Sequence, residues 1–168
     1  MTATATIIMA MDTRMTTPTE PLLALGAQSF LQLMWLASPA LPIGGFSYSE
    51  GLEAAINAAL VTTEAEAAGW LVQQLHLTQS RGDMAVIAQA MQAWKSADLA
   101  RIANLNQWVR VTRETSELRL QTEQMGRSLT EWLKNRYADE AVPLASVHWL
   151  GAQDASYPIA FSLAAQCT

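Results

Sequence analysis

The side chains best suited to metal chemistry are few in this chain and lie far apart. The sequence contains two histidines, His76 and His148, and a single cysteine, Cys167. None of them has a second histidine or cysteine at the short spacing that zinc or nickel sites use. We therefore expect no intrinsic metal site and no intrinsic cofactor, and we interpret both histidines as surface or packing residues.

Residues 45–51 come close to the nucleophile elbow of α/β-hydrolases but do not meet its requirement. That motif has a glycine two residues before and two residues after the serine. Ser47 follows Gly45 but precedes Ser49, and Ser49 precedes Gly51 but follows Ser47. No strand is predicted ahead of the segment, and the chain has no phosphate-binding loop. The sequence therefore favours neither a hydrolase nor a GTPase.

The proline- and glycine-rich segment 38–53 interrupts a sequence that is otherwise typical of helices. Pro39 and Pro42 should end the helix before them, and Gly44-Gly45 permits backbone conformations that a side chain would disfavour. Ser47 and Glu50 have capping-box spacing, which predicts a new helix from about residue 48 to residue 60. We expect Gly44→Val or Gly45→Val to damage the protein more than Ser47→Ala.

Capping signals and apolar periodicity predict helices through the rest of the chain, and no strand or hairpin signal is found. The expected fold is an all-α, single-domain helical bundle. The expected elements are a core helix near 22–38 packed on several sides, helices at 63–80 and 83–95, a long segment 98–137 broken near Thr112, a turn at 139–143, and a last helix starting at Ser156 or Pro158.

The helix predicted after Thr112 has one apolar stripe and one charged face. The stripe consists of Leu118, Met125, Leu129, Trp132 and Leu133. The charges are spaced four residues apart, which predicts ion pairs along the helix: Arg113 with Glu117, Arg119 with Glu123, Glu123 with Arg127, and Arg127 with Glu131. The simplest interpretation of these charges is a solvated helix face.

Composition excludes several classes of function. Ten basic and fifteen acidic residues give a formal charge of −5, whereas nucleic-acid binders usually carry clustered positive charge. The uncharged stretch 22–38 would form a helix of about 25 Å, shorter than a bilayer core of about 30 Å. A single cysteine is compatible with a reducing compartment. We therefore expect a cytoplasmic protein that binds neither nucleic acid nor a membrane.

Three segments together form a recognisable signature. The first is Leu33 with 38–53, SPALPIGGFSYSEGLE; the second is 113–119, RETSELR, followed by 124–129, QMGRSL; the third and weaker is 157–165, YPIAFSLAA. These segments resemble the UreF family of urease accessory proteins, which are nickel-insertion chaperones. The resemblance implies an all-helical, dimeric, non-enzymatic protein. It also implies a bridge between a UreD/UreH-type accessory protein and the GTPase UreG, assembled on the urease apoprotein. Nickel would be handled by the assembled complex.

The resemblance also nominates contact surfaces for those partners. The candidate partner-contact or signature residues are Pro39, Pro42, Gly44, Gly45, Ser47, Tyr48, Glu50, Gly51, Glu53, Arg113, Glu114, Glu117, Arg119, Gly126 and Arg127. A folding role competes with a contact role in the proline- and glycine-rich segment, because such a turn can be required for the fold alone.

We expect a flexible leader over 1–20 and a UreF-like helical domain over 21–168. The apolar final helix should need neighbours on every side, and family members continue beyond this point. The sequence therefore predicts a form truncated at its C-terminus, with exposed apolar surface and weak or absent chaperone activity. The alternative to urease maturation is a helical adaptor or regulatory binding protein unrelated to urease, and an enzyme comes third.

Overall fold

The computed structural model describes residues 26–44 and 51–168. These residues form eight α-helices and no strand, which confirms the predicted all-α fold. The helices are α1 (Ala27–Leu36), α2 (Leu52–Asn57), α3 (Glu64–Gln74), α4 (Asp83–Lys95), α5 (Leu99–Thr112), α6 (Ser116–Arg136), α7 (Ala141–Gly151) and α8 (Tyr157–Gln166). A π-helical turn, Leu75–Gln79, continues α3.

Helix α8 is the centre of the core. It packs mainly between α4 and α6, and it also contacts α1, α5 and α7. Its buried residues are Pro158, Ile159, Ala160, Ser162, Leu163 and Ala164. The apolar character of this helix was expected to require neighbours, and the described part of the chain supplies them.

Aliphatic and aromatic side chains surround α8. Trp94 on α4 donates its indole N–H to Ser162 Oγ at 3.0 Å and meets Trp149 edge to face, with ring centroids 5.9 Å apart. Leu129 and Leu133 of α6 are fully buried against the same core. Burial of each leucine contributes roughly 1.5–3 kcal/mol.

Two capping signals of the sequence are confirmed, whereas the predicted Ser47–Glu50 box lies outside the described residues. Thr63 and Glu66 form a capping box at the start of α3, and Asp98 accepts the Arg101 N–H at the start of α5. The long helical segment breaks where expected, because Arg113 is extended and Thr115 caps α6. Pro158 lies in the first turn of α8, where its missing N–H is harmless.

Several helix boundaries differ from the prediction, among them the end of α2, which lies at Asn57 and not near residue 60. Gly51 has a φ of 79° and is the N-cap of α2, so this helix begins at Leu52 and not near residue 48. Helix α7 begins at Ala141 and includes Pro143, so the turn predicted over 139–143 lies earlier, around Tyr137–Asp139. Proline within the first turn of a helix leaves no intrahelical bond unmade, which is why Pro143 does not end it.

The expectation that the first helix is packed on several sides is wrong. Only Leu36 of α1 is buried, whereas Phe30, Leu31, Met34 and Trp35 are each more than half exposed. Among the described helices, it is mainly α8 that contacts α1, and periodicity cannot show which sides of an apolar helix have neighbours. Similarly, α3 has no buried residue, and Leu118 on α6 is exposed. Among the described residues, no helix is long and apolar enough to cross a membrane.

Candidate functional site

The loop after α1 brings the first proline-rich motif onto the core. Leu41 and Ile43 are buried, whereas Pro39 and Pro42 face outward. Backbone bonds from Leu41 N to Ser38 O and from Ile43 N to Leu41 O tighten the loop. The motif therefore presents its prolines on the surface while it anchors two apolar side chains.

Gly44 and Gly51 both require the left-handed conformation that glycine tolerates best. Their φ angles are 72° and 79°, so a side chain would strain the backbone at either position. A Cβ on Gly44 would lie 3.9 Å from Gln124 Nε2 of α6, which places the first motif beside the second. The predicted residues Gly45, Ser47, Tyr48 and Glu50 lie outside the described residues, and Glu53 is exposed on α2.

Arg113 at the end of α5 holds the start of α4. Its Nη2 donates to both carboxylate oxygens of Asp83, at 2.8 and 2.9 Å. The Arg113 Nε is buried and has no hydrogen-bond partner in the described part of the chain. Because Arg113 lies before α6 in an extended conformation, it does not pair with Glu117 as predicted. Arg113 therefore links the end of α5 to the start of α4, and its charge is already paired with Asp83.

The start of α6 presents an exposed charged surface. Glu114, Glu117 and Arg119 all face solvent there. The pKa of Glu117 is lowered because its carboxylate accepts its own backbone N–H and also hydrogen bonds from the hydroxyls of Ser116 and Thr115. Glu114 precedes α6, whereas Glu117 and Arg119 lie in its first turn, and all three are on the outside of the bundle.

Glu123 pairs across the bundle and not along its own helix. Its Oε1 accepts from Arg110 Nε of α5 at 2.8 Å, and Glu123 is buried. The predicted pairs of Glu123 with Arg119 and Arg127 are therefore wrong. Glu131 bonds to Lys134 at the i+3 position instead of to Arg127. Residue spacing within one helix cannot reveal an ion-pair partner on a facing helix.

Gly126 is buried where α6 meets the loop before α8. A Cβ built on it would lie 1.9 Å from the Ala155 carbonyl oxygen, so only glycine permits this approach. Two residues further around the loop, Tyr157 N donates to Thr122 Oγ1 at 3.3 Å. Arg127, the next residue along α6, is exposed. The signature glycine thus serves packing, while its arginine neighbour remains on the surface.

Asn106 is the important residue that the sequence analysis missed. It is buried on α5, accepts the Ser156 N–H at 2.8 Å and donates to the Gln153 carbonyl oxygen at 3.1 Å. Its amide therefore fixes the backbone that enters α8. The signal was present, because Asn106 lies in the buried stripe between Ile102 and Val109, where an amide needs partners.

Both histidines are exposed, His76 in the π-helical turn and His148 on α7. Within residues 26–44 and 51–168, no group of three His, Cys, Asp or Glu side chains is placed to hold a metal ion. The arrangement instead offers exposed prolines, exposed charges on α6, and a set of buried polar contacts that hold those surfaces in place.

Comparison with known proteins finds one matching family model and several relatives. The UreF family model matches residues 61–168. A urease accessory protein UreF from Paracidovorax citrulli (strain AAC00-1) is 61% identical over 144 residues, which are 86% of this chain and 57% of the relative. One from Polaromonas sp. is 56% identical over 151 residues, 90% of this chain and 64% of the relative.

A third relative carries two accessory functions in its name. The bifunctional urease accessory protein UreEF of Bordetella bronchiseptica is 46% identical over 126 residues, 75% of this chain and 29% of the relative. The chain thus spans about 60% of the length of the UreF proteins it matches. The matched region contains α3 to α8 complete, and we conclude that this chain belongs to the UreF family.

Proposed function

We propose that this protein takes part in urease maturation as a non-enzymatic accessory protein that assists nickel insertion. The observation that carries the proposal is the 61% identity to a protein named for that process. Nickel is then the cargo of the assembly, and no resident metal site on this chain is needed.

We further propose that the protein works by docking, bridging a UreD/UreH-type protein and the GTPase UreG on the urease apoprotein, in the cytoplasm and as a homodimer. Charged residues that face solvent at fixed positions support this idea, because interfaces use such residues for orientation and partner choice. A relative that is named for two accessory functions in one chain also supports physical association between accessory proteins.

For this proposal, exposure and contacts divide the signature residues on α6 and at its start into two groups. Glu114, Glu117, Arg119 and Arg127 are exposed and are our candidate contacts. Gly126 and Arg113 lie against other parts of the same chain, and we assign them to maintaining the shape of the surface. Loss of a contact residue should reduce binding without loss of stability, whereas loss of a shape residue should reduce both.

Complementation tests the proposed function. A urease-positive strain that lacks its F-type accessory protein should recover nickel-dependent urease activity when it expresses this chain. The Paracidovorax citrulli relative, expressed in parallel, shows that the strain can be restored. Failure of a well-expressed, folded chain in a strain that the relative restores would contradict the proposal.

Co-purification tests the bridging role separately. Charge reversal at Glu117→Lys and Arg119→Glu should reduce recovery of the UreD/UreH-type protein or of UreG, with the thermal midpoint unchanged. Lys95→Glu, on the exposed end of α4, is the matched control and should leave recovery unchanged. Full recovery of both partners with the variant that carries both substitutions would exclude the start of α6 as a contact surface.

A further inference from the structure

A groove between α4 and α5 surrounds the exposed indole of Trp108. It consists of two adjoining hollows with volumes of about 240 and 480 Å³. Gln89, Leu105 and Trp108 line both hollows, so the two are continuous. Trp108 is 47% exposed, which is unusual for a side chain with so much apolar surface to bury.

The residues of α5 in the groove follow helical spacing. Arg101, Leu105 and Trp108 are at positions i, i+4 and i+7, so they share one face of the helix. The rise of the helix separates the first and last of them by about 10 Å. Arg81 lies at the Trp108 end, just before α4 begins. The groove thus has an apolar centre with an arginine at each end.

Hydrogen-bond donors dominate this groove. Arg101 Nη2 donates to Gln89 Oε1 at 2.7 Å, which holds the guanidinium group against α4 and leaves its other N–H groups available. In these two hollows the one carboxylate, Asp98, already accepts the Arg101 backbone N–H as the helix N-cap. A further hollow, which Arg81 and Trp108 also line, contains Glu114 and Asp83, and Asp83 pairs with Arg113. In the described part of the chain, no carboxylate lies within 4 Å of Arg81.

The two arginines of the groove contrast with the chain as a whole, whose formal charge is −5. We propose that the groove binds an amphipathic helix of a partner protein that carries two carboxylates about two turns apart, with an apolar side chain between them. The carboxylates would pair with Arg81 and Arg101, and the apolar side chain would pack on Leu105 and Trp108. Tryptophan and arginine are the residue types that dominate binding energy at interfaces, and helix-in-groove binding uses this spacing.

The proposal does not depend on a role in urease maturation, and a model peptide can test it. The probe is a capped, alanine-based helical peptide of about 18 residues with two glutamates two turns apart and leucines between them. Titration of the ¹⁵N-labelled protein should shift the Trp108 indole signal and give a dissociation constant, which should rise as salt screens the charges. A peptide with glutamine in place of both glutamates should bind at least about tenfold more weakly.

Variants show whether binding uses this groove. Trp108→Ala, Arg81→Ala and Arg101→Ala should each weaken binding about tenfold. Trp35→Ala on α1 and Arg127→Ala on α6 remove an equally exposed tryptophan and an exposed arginine elsewhere and should leave the affinity unchanged. The Arg101→Glu variant should no longer bind the glutamate peptide, but it should bind a peptide with lysine at the facing position. A misfolded variant could not show this rescue of binding.

The proposal is overturned if no binding is detected at millimolar peptide, if the glutamine peptide binds equally well, or if the shifted signals lie outside α4 and α5. It is also overturned if the Trp35 or Arg127 variant weakens binding as much as the groove variants do.

Discussion

The backbone of Gly126 on α6 lies so close to the Ala155 carbonyl oxygen that a Cβ at this position would be 1.9 Å from it. The same Cβ would also lie 2.7 Å from the carbonyl carbon of Ser156. Both neighbours are backbone atoms at the entrance to the central helix, so they cannot rotate away. This one contact couples the second sequence motif to the loop that leads into the third.

We therefore predict that Gly126→Ala lowers the free energy of unfolding by about 2–3 kcal/mol. The usual effect of this substitution in a helix interior is a gain of roughly 0.5–1 kcal/mol. Gly69→Ala on α3 is the matched control, because nothing lies within 4 Å of its Cβ position, and it should stabilise the protein. Urea denaturation of both variants measures the difference. Equal stability of the two variants would contradict the close approach.

Asn106 provides the second prediction, since it connects α5 with the same loop. Asn106→Ala leaves the buried Ser156 N–H and the Gln153 carbonyl oxygen without their partner, which should destabilise the protein by about 2–3 kcal/mol. Asn104→Ala, on the exposed side of the same helix, should change stability by less than about 0.5 kcal/mol. Thermal unfolding of both variants gives the comparison, and a mild effect at Asn106 would show that water replaces its bonds.

The sequence predicted the helical elements well because their signals are local. The Thr63–Glu66 capping box, the Asp98 cap and the extended residue Arg113 all depend on neighbours within a few positions. Such contacts form within one turn of the chain, so spacing alone is sufficient to find them.

Tertiary partners were not predictable in the same way. Glu123 had arginines four residues away on both sides, yet it pairs with Arg110 on the facing helix. Spacing shows which charges could meet within a helix, but the packing of α5 on α6 decides which ones do. The exposed apolar side chains of α1 illustrate the same limit, because composition does not show which faces of a helix are covered.

Cys167 gives a third prediction, on thiol reactivity. Burial raises the pKa of this thiol, and the negative charge of Glu140 raises it further. The thiolate is the reactive form, so alkylation of the folded protein at about pH 8 should be several times slower than in urea, where an ordinary pKa of about 8.5 returns. Rates of iodoacetamide labelling against pH measure this. Glu140→Gln should lower the midpoint pH of labelling part of the way toward that of the unfolded protein.

The raised pKa of Cys167 also makes the free energy of unfolding depend on pH. Because the folded pKa is raised, the folded state holds the thiol proton more tightly than the unfolded state. The stabilising contribution is therefore complete below the unfolded pKa of about 8.5 and is lost as pH rises through the folded pKa. A labelling midpoint at or below that of a free cysteine would contradict both statements.

The last prediction concerns the capping box of α3 and acid. The pKa of Glu66 is lowered chiefly because its carboxylate accepts the Thr62 backbone N–H at 2.7 Å, with further bonds from the Thr62 hydroxyl and the Thr63 N–H. Because the pKa of Glu66 is lower in the folded state, its carboxylate stabilises the fold above the unfolded pKa of about 4.3. This stabilisation is lost as pH falls through the folded pKa. Since no residue of α3 is buried, packing should not compensate for that loss.

We expect the first turn of α3 to fray between about pH 5 and pH 2, seen as faster amide exchange at Glu66 and Ala67 after correction for intrinsic rates. Glu66→Gln keeps an acceptor oxygen but cannot titrate, so its exchange should not depend on pH in this range. Glu64→Gln, in the same turn but outside the box, should retain the pH dependence of the wild type. If protection at Glu66 and Ala67 in the wild type is the same at both ends of the range, the capping carboxylate does not hold this helix end.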